Sequence, residues 1–78
     1  MTQDELKNRL KKFALRIIQL SENLPNTSTG QIIRRQIIRS GTSPGANYRA
    51  ACLGKSDKDF LNKLKIVEEE LDETLYWL

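Results

Sequence analysis

The stretch "RSGTSPGANYRAACLG", residues 39–54, decides how many helices this chain forms. Two glycines and a proline within five residues are typical of a turn that joins two helices. The same stretch also has small and polar residues at steps of three and four, the spacing of one face of a helix: Ser40, Ser43, Asn47 and Ala50. The stretch is therefore either a loop or a helix whose inward face is small and polar.

Pro44 leaves two helical arrangements open. Proline removes a backbone N–H and costs about 3 kcal/mol inside a helix, and it disfavours helical geometry at Ser43, the residue before it. In one arrangement, Ser43 caps a new helix that has Pro44 at its first position. In the other, a single long helix is kinked at Pro44.

The residues on either side of this stretch predict a helix before it and another after it. The first apolar set has steps of three and four and consists of Leu6, Leu10, Phe13, Ile17, Leu20 and Leu24. The second set has the same kind of spacing and consists of Phe60, Leu64, Val67, Leu71, Leu75 and Leu78. Stripes of this kind are typical of helices that pack at shallow angles in antiparallel bundles.

Capping signals predict where the helices begin. The candidate helix starts are Thr2-x-x-Glu5, Ser28-x-x-Gln31 and Ser56-x-x-Asp59. Together with Pro25 as a stop signal, they predict helices over residues 3–24, 29–53 and 57–78. We expect one domain, residues 1–78, that is an all-α, up-down antiparallel bundle. Because "ETLYWL" has no capping signal, we expect the third helix to be truncated and an apolar face to need a partner.

Composition restricts the chemistry of the 78 residues. The chain has no histidine, which is the commonest general base and metal ligand, and its single cysteine cannot form a zinc site or an internal disulfide. We therefore expect no enzymatic activity, no metal and no cofactor. With no secretory signal and no apolar run near the roughly 20 residues that span a bilayer, we expect a cytoplasmic protein outside the membrane.

Charge is distributed unevenly along the chain. Residues 26–54 contain four arginines and no acid, whereas residues 55–78 contain seven acids against four lysines. Arginine pairs with phosphate oxygens, so the basic residues are candidates for nucleic-acid binding. These candidates are Arg34, Arg35, Arg39, Arg49, Lys12 and Arg16. We expect Lys7 and Lys11 to cluster with Lys12 and Arg16 on the outer side of the first helix. The alternative is a solvated face, or salt bridges to acids of the third helix or of a neighbouring subunit.

A second candidate site is a buried polar interface between helices. Its residues on the second helix would be Gln36, Ser40, Ser43 and Asn47, with Glu70 or Glu73 as their partners. Buried side chains of this kind are stable when their hydrogen bonds are satisfied. A catalytic role would need a base near these serines, and none is near them in the sequence.

Three stretches resemble the family of 23S rRNA intervening-sequence proteins, which are four-helix bundles. The stretches are "ENLP", "QIIRSGTSPGANYRAA" and "KSDKDFLNKLKIVEEELDETLYWL". The matching positions are Leu24, Pro25, Gln36, Ser40, Ser43, Asn47, Asp59, Phe60, Glu70, Glu73 and Leu75. The resemblance implies that the second segment is one long helix, kinked near Pro44, and that a fourth helix of the family's pattern is missing here.

The resemblance also implies a function. Members of the family are encoded within intervening sequences of bacterial 23S rRNA genes. Their relatives accompany diversity-generating retroelements, where a basic pentameric bundle binds the reverse transcriptase and its RNA. We therefore expect a non-enzymatic homo-oligomer, a pentamer by this resemblance, with an accessory role in binding RNA or DNA. The alternative is a purely structural, self-associating bundle that binds a protein partner and no nucleic acid.

Overall fold

The structure is a computed structural model that describes residues 1–54 and 56–78. These residues form three α-helices and no strand: α1 (Gln3–Glu22), α2 (Ser28–Cys52) and α3 (Asp57–Trp77). The predicted all-α fold class is confirmed, and the helix ends differ from the predicted ones by at most two residues.

Two of the three predicted helix starts are confirmed. The Thr2 hydroxyl accepts a hydrogen bond from the Glu5 N–H at 3.1 Å. The Ser56 hydroxyl accepts one from the Asp59 N–H, also at 3.1 Å. In both cases a short polar side chain satisfies a backbone donor that has no partner inside the helix.

The predicted cap at Ser28 is wrong, because Thr27 caps α2. The Thr27 hydroxyl accepts from the Gly30 N–H at 3.0 Å, and Gln31 donates instead to Asn26 at 3.1 Å. A Cβ atom at Gly30 would collide with the Pro25 carbonyl oxygen. Glycine therefore allows the turn before α2 to fold tightly against the first turn of the helix.

Helix α2 runs without interruption through Pro44, which selects the single-helix arrangement. The arrangement in which Ser43 caps a new helix is wrong, whereas the continuous second helix implied by the family resemblance is confirmed. Pro44 leaves the Ser40 carbonyl without its usual helical donor, but its ring is fully buried and contributes apolar contact in return. The kink at Pro44 stays a prediction.

Helices α1 and α2 pack antiparallel. Ile17 of α1 lies against Gly41 of α2. Leu10, which comes earlier in α1, lies against Gly45, which comes later in α2. A Cβ atom placed at Gly41 would be only 2.7 Å from Ile17 Cγ2. The missing side chain at Gly41 is therefore what lets the two helices approach so closely here.

Helices α2 and α3 are also antiparallel, and α2 is the central helix. Ser40 is hydrogen-bonded to Thr74, and the Tyr48 ring packs edge-on against Phe60 with a centroid distance of 6.4 Å. Within the described residues, the backbones of α1 and α3 each come close to α2 but not to each other. The predicted up-down order is thus a three-helix layer with α2 in the middle.

The side chains of all three helices meet in a small core. Its buried members are Leu10, Tyr48 and Val67, one from each helix. Burial raises the pKa of the Tyr48 phenol, and the neighbouring Cys52 thiol adds to this rise. The phenol therefore stays neutral inside the core.

Apolar side chains are exposed near both ends of α3. Leu61 is 64% exposed, Leu75 is 69% exposed and Tyr76 is 80% exposed. Single exposed apolar residues are common on protein surfaces, and the exposed Glu68 and Asp72 lie between Leu61 and Leu75 on the same side of α3.

Candidate nucleic-acid interface

The buried face of α2 is shifted by one residue from the predicted polar stripe. The buried residues of α2 are Gly30, Ile37, Ser40, Gly41, Pro44, Tyr48 and Ala51. Of the predicted stripe, only Ser40 is fully buried, whereas Gln36, Ser43 and Asn47 are half-buried. Small and apolar side chains enter the core at lower cost than amides, which explains the shift.

Ser40 finds its partner in Thr74, a residue that the sequence reasoning missed. The two hydroxyl oxygens are hydrogen-bonded at 3.0 Å, and both residues are 0% exposed. Thr74 Oγ1 also lies 2.8 Å from the Glu70 carbonyl oxygen. The available signal was spacing, because Thr74 follows Val67 by seven residues and so shares its face of α3.

Ser43 and Asn47 satisfy each other within α2. The Asn47 side-chain amide donates to the Ser43 carbonyl at 3.0 Å and to the Ser43 hydroxyl at 3.3 Å. No contact to Glu70 or Glu73 is needed for these two residues.

The glutamates bind Arg39 rather than the predicted serines. Arg39 donates to Glu70 Oε2 at 3.2 Å and also pairs with the carboxylate of Glu73. Its guanidinium donates to Gln36 Oε1 at 3.1 Å, and the Trp77 indole donates to Glu73 at 2.9 Å. Gln36, Glu70 and Glu73 therefore all contact Arg39. The prediction that the two glutamates satisfy the hydrogen bonds of the serines and of Asn47 is wrong.

Two of the predicted phosphate-binding arginines are engaged within the protein. Arg34 donates to the Ser21 carbonyl at 2.9 Å and to the Leu24 carbonyl at 3.0 Å, so it caps the C-terminal end of α1. Arg39 is held by acids of α3, as the salt-bridge alternative expected. Arg34 and Arg39 therefore have structural partners within the protein, and nucleic-acid binding by the six predicted cations stays a prediction.

Arg49 lies beside two lysines of α1 in a surface cleft. We call the three cations Lys7, Lys11 and Arg49, with the neutral residues between them, the basic cleft. The neutral lining consists of Asn8, Leu10, Ala14, Thr42, Gly45 and Ala46. Three cations converge here from two helices on a floor of mostly small residues, an arrangement that attracts polyanions.

The predicted cluster of four basic residues on α1 is divided between two surfaces. Lys7 and Lys11 belong to the basic cleft, whereas Lys12 and Arg16 lie on another surface of α1 with Arg9 and Phe13. We call this second group, Arg9, Lys12, Phe13 and Arg16, the Phe13 patch. The helical period of 3.6 residues explains the division, because it turns Arg9 and Arg16 to the side of α1 opposite Lys7 and Lys11.

Arg35 completes the candidate set. Its side chain is exposed on α2 and makes no ion pair with the residues that the structure describes. Across these same residues, no group of three acidic or cysteine side chains could hold a metal ion. None of the three helices, over its described length, is long and apolar enough to cross a membrane.

The fold and these surfaces define an all-α bundle with basic surfaces on α1 and α2. The family model described as 23S rRNA-intervening sequence protein matches residues 3–78. The chain therefore belongs to the 23S rRNA-intervening sequence protein family, as the resemblance of its motifs implied.

Comparison with solved structures agrees with this assignment. The chain is similar to a Bacteroides thetaiotaomicron VPI-5482 protein of unknown function from the S23 ribosomal protein family, with 43% identity and a TM-score of 0.88. The match covers 99% of this chain and 69% of that chain. No curated protein matches the chain.

Proposed function

We propose that this chain is a non-enzymatic, oligomeric accessory protein that binds structured nucleic acid in the bacterial cytoplasm. The observation that carries the proposal is the basic cleft, which Lys7, Lys11 and Arg49 line together and whose lining contains no acidic residue. Cations that neutralise phosphates release counterions, which drives binding that depends on salt and little on sequence.

The placement of the acids supports the same surface. Glu70 and Glu73 of α3 are engaged with Arg39, and α3 contributes no residue to the cleft lining. A polyanion that enters the cleft therefore contacts residues of α1 and α2 only, and none of them is acidic.

The exposed apolar side chains of α3 support self-association. Leu61, Leu75 and Tyr76 are largely exposed, and burial of apolar area is the main driving force of association. We propose that another copy, or a fourth helix like that of the family's bundle, covers these side chains and leaves the basic cleft free. The family resemblance implies a pentamer.

Salt-dependent binding tests the proposed function. The fluorescence anisotropy of a labelled, structured 23S rRNA fragment should be titrated at two salt concentrations with the wild type and the variant K7S/K11S/R49S. We expect weaker binding by the variant and a log–log salt slope that is smaller in magnitude by about 3, since each lost phosphate contact removes about 0.9.

A matched control separates the cleft from total charge. The variant K58S/K63S/K65S loses the same number of positive charges on α3, and we expect it to bind like the wild type. Equal loss in both variants would contradict a role for the cleft, and no binding by the wild type at low salt would contradict the nucleic-acid role itself.

The purely structural bundle is the second candidate function, and the exposed residues of α3 favour it. If it is correct, the wild type self-associates in solution, as mass measurement would detect, but binds no RNA at either salt concentration. An L61S/L75S variant should then lose self-association.

A further inference from the structure

The contacts of Arg39 join the basic helix α2 to the acidic helix α3. Among the residues that the structure describes, Arg39 is the one cation that forms salt bridges, and both are with acids of α3. Its guanidinium donates to Glu70 Oε2 at 3.2 Å and also pairs with the carboxylate of Glu73. Carboxylates and phosphates both offer an arginine negatively charged oxygen acceptors. The two glutamates therefore occupy Arg39 in the way that phosphate groups would.

These salt bridges are exchangeable because they lie at the surface. The Arg39 side chain is 49% exposed, and the side chains of Glu70 and Glu73 are 21% and 34% exposed. Water and salt screen ion pairs of this kind, so each contributes little to stability. A polyanion that brings several phosphates to this surface offers Arg39 replacement partners, and the exchange requires only side-chain rotation.

Arg35 is an accessible cation beside Arg39. It lies four residues before Arg39 on α2, and residues at this spacing are neighbours on one face of a helix. The Arg35 side chain is exposed, and it makes no ion pair with the residues that the structure describes. A phosphate held by Arg35 is therefore one helical turn away from Arg39.

We propose that Glu70 and Glu73 form an autoinhibitory contact, in which their carboxylates compete with nucleic acid for Arg39. Nucleic acid that binds at Arg35 replaces the carboxylates with phosphates, and Arg39 then becomes a phosphate ligand. This inference rests on the proposed nucleic-acid role and adds a form of regulation to it. A ligand must supply enough phosphates near Arg39 to offset the lost salt bridges, so the contact disfavours sparsely charged polyanions.

Trp77 makes the exchange observable. Its indole N–H donates to the Glu73 carboxylate at 2.9 Å, and it is the one tryptophan of the chain. When Arg39 leaves Glu73, the carboxylate beside the indole loses its positive partner, and the electric field at the indole changes. Emission excited at the red edge of the absorption band comes from Trp77 and not from the tyrosines, so it reports this change.

Anisotropy titrations with the labelled 23S rRNA fragment test the competition. We call E70Q/E73Q the glutamate variant; glutamine keeps the size of the side chain and removes its charge. We expect this variant to bind about five-fold more tightly than the wild type, because two exposed ion pairs no longer hold Arg39. In the R39Q background, the same two substitutions should give no more gain than a change of total charge does.

The charge control is E68Q/E69Q. Glu68 and Glu69 are exposed on the same helix and form no salt bridge with the residues that the structure describes. The control removes the same charge as the glutamate variant but leaves Arg39 paired. We expect it to gain about two-fold in affinity or less, because salt screens exposed charges that are not in contact with the ligand.

Tryptophan fluorescence provides a second readout that does not depend on the fold of the glutamate variant. The wild type and R39Q are each saturated with the unlabelled RNA fragment, and circular dichroism establishes that both are folded. We expect RNA to change the Trp77 emission of the wild type and to leave that of R39Q nearly unchanged, because R39Q has no guanidinium to withdraw from Glu73.

The outcomes separate this inference from the proposed function. If the glutamate variant gains no more affinity than the charge control, or gains as much in the R39Q background, the autoinhibitory contact is wrong. It is also wrong if RNA changes the Trp77 emission equally in the wild type and R39Q. In each case, weaker binding by K7S/K11S/R49S still supports the basic cleft. If the wild type binds no RNA at low salt, both proposals are wrong.

Discussion

The two interfaces of α2 are held together in different ways. On the α1 side, Gly41 lets the backbone approach Ile17 directly, so the contact depends on shape. On the α3 side, Ser40 is hydrogen-bonded to Thr74 and Arg39 is paired with acids. Gly41 and Ser40 are consecutive residues, yet they serve different neighbours. Small residues in a helix can therefore permit close packing or form a polar contact, depending only on the direction that they face.

The largest effect is expected from a side chain added at the close contact. We expect Gly41→Ala to lower the free energy of unfolding by about 1–3 kcal/mol, because the new Cβ atom overlaps a branched side chain that is held in the core. Gly45→Ala is the control, since its Cβ would lie at an ordinary 3.6 Å from Leu10. Urea unfolding followed by circular dichroism gives both values. Equal stability of the two variants would show that shape does not limit this interface.

A smaller loss is expected when the end of α1 loses its cap. We expect Arg34→Met to destabilise the protein by about 1.5 kcal/mol, because two carbonyls lose a charged donor. Arg35→Met, at the exposed neighbouring position, should change stability by less than about 0.5 kcal/mol. The same urea titration measures both. A similar loss in the two variants would indicate a general effect of charge rather than capping.

On the α3 side, a buried hydroxyl can be removed without changing its volume much. We expect Thr74→Val to cost about 1 kcal/mol, because it leaves the Ser40 hydroxyl without its partner. The double variant S40A/T74V should cost less than the sum of the two single changes. A double-mutant cycle from urea unfolding measures the difference. Strict additivity would mean that the two hydroxyls do not stabilise each other.

The smallest effect is expected at the exposed ion pairs. We expect Arg39→Gln to cost about 0.5 kcal/mol or less, because water screens charges that are partly exposed. The same change at Arg49 is the control for helix propensity and total charge. The difference between these two variants should shrink when salt is added. A loss as large as that at Gly41 would instead make the Arg39 contacts a principal support of the bundle.

The helices could be predicted from the sequence because the apolar residues of α1 and α3 repeat at steps of three and four. Which face of α2 is buried could not be predicted, because small residues such as Gly41 and Ser40 are compatible with both the buried and the exposed side of a helix. The family resemblance, rather than the local pattern around Pro44, indicated that α2 is continuous. The predicted cap, Ser28, and the observed cap, Thr27, are adjacent residues and would differ only in which backbone N–H they reach.

The candidate site was harder to predict than the fold. The charge of Arg34 and Arg39 predicts phosphate binding, because the sequence shows their charge but not their partners on α1 and α3. Those partners depend on how each helix is rotated about its axis. The division of the basic residues of α1 depends on helical period alone and could have been derived from it. The pairing of Arg49 with Lys7 and Lys11 requires the packing of two helices.

The separation of basic and acidic residues along the chain has a consequence for how the protein would associate with a polyanion by diffusion. Residues 26–54 have no acid, and residues 55–78 contain seven acids against four lysines. This arrangement gives the molecule an electric dipole, and the field of a polyanion exerts a torque on it. If the proposed nucleic-acid role is correct, this torque turns α1 and α2 towards the nucleic acid and raises the fraction of productive collisions.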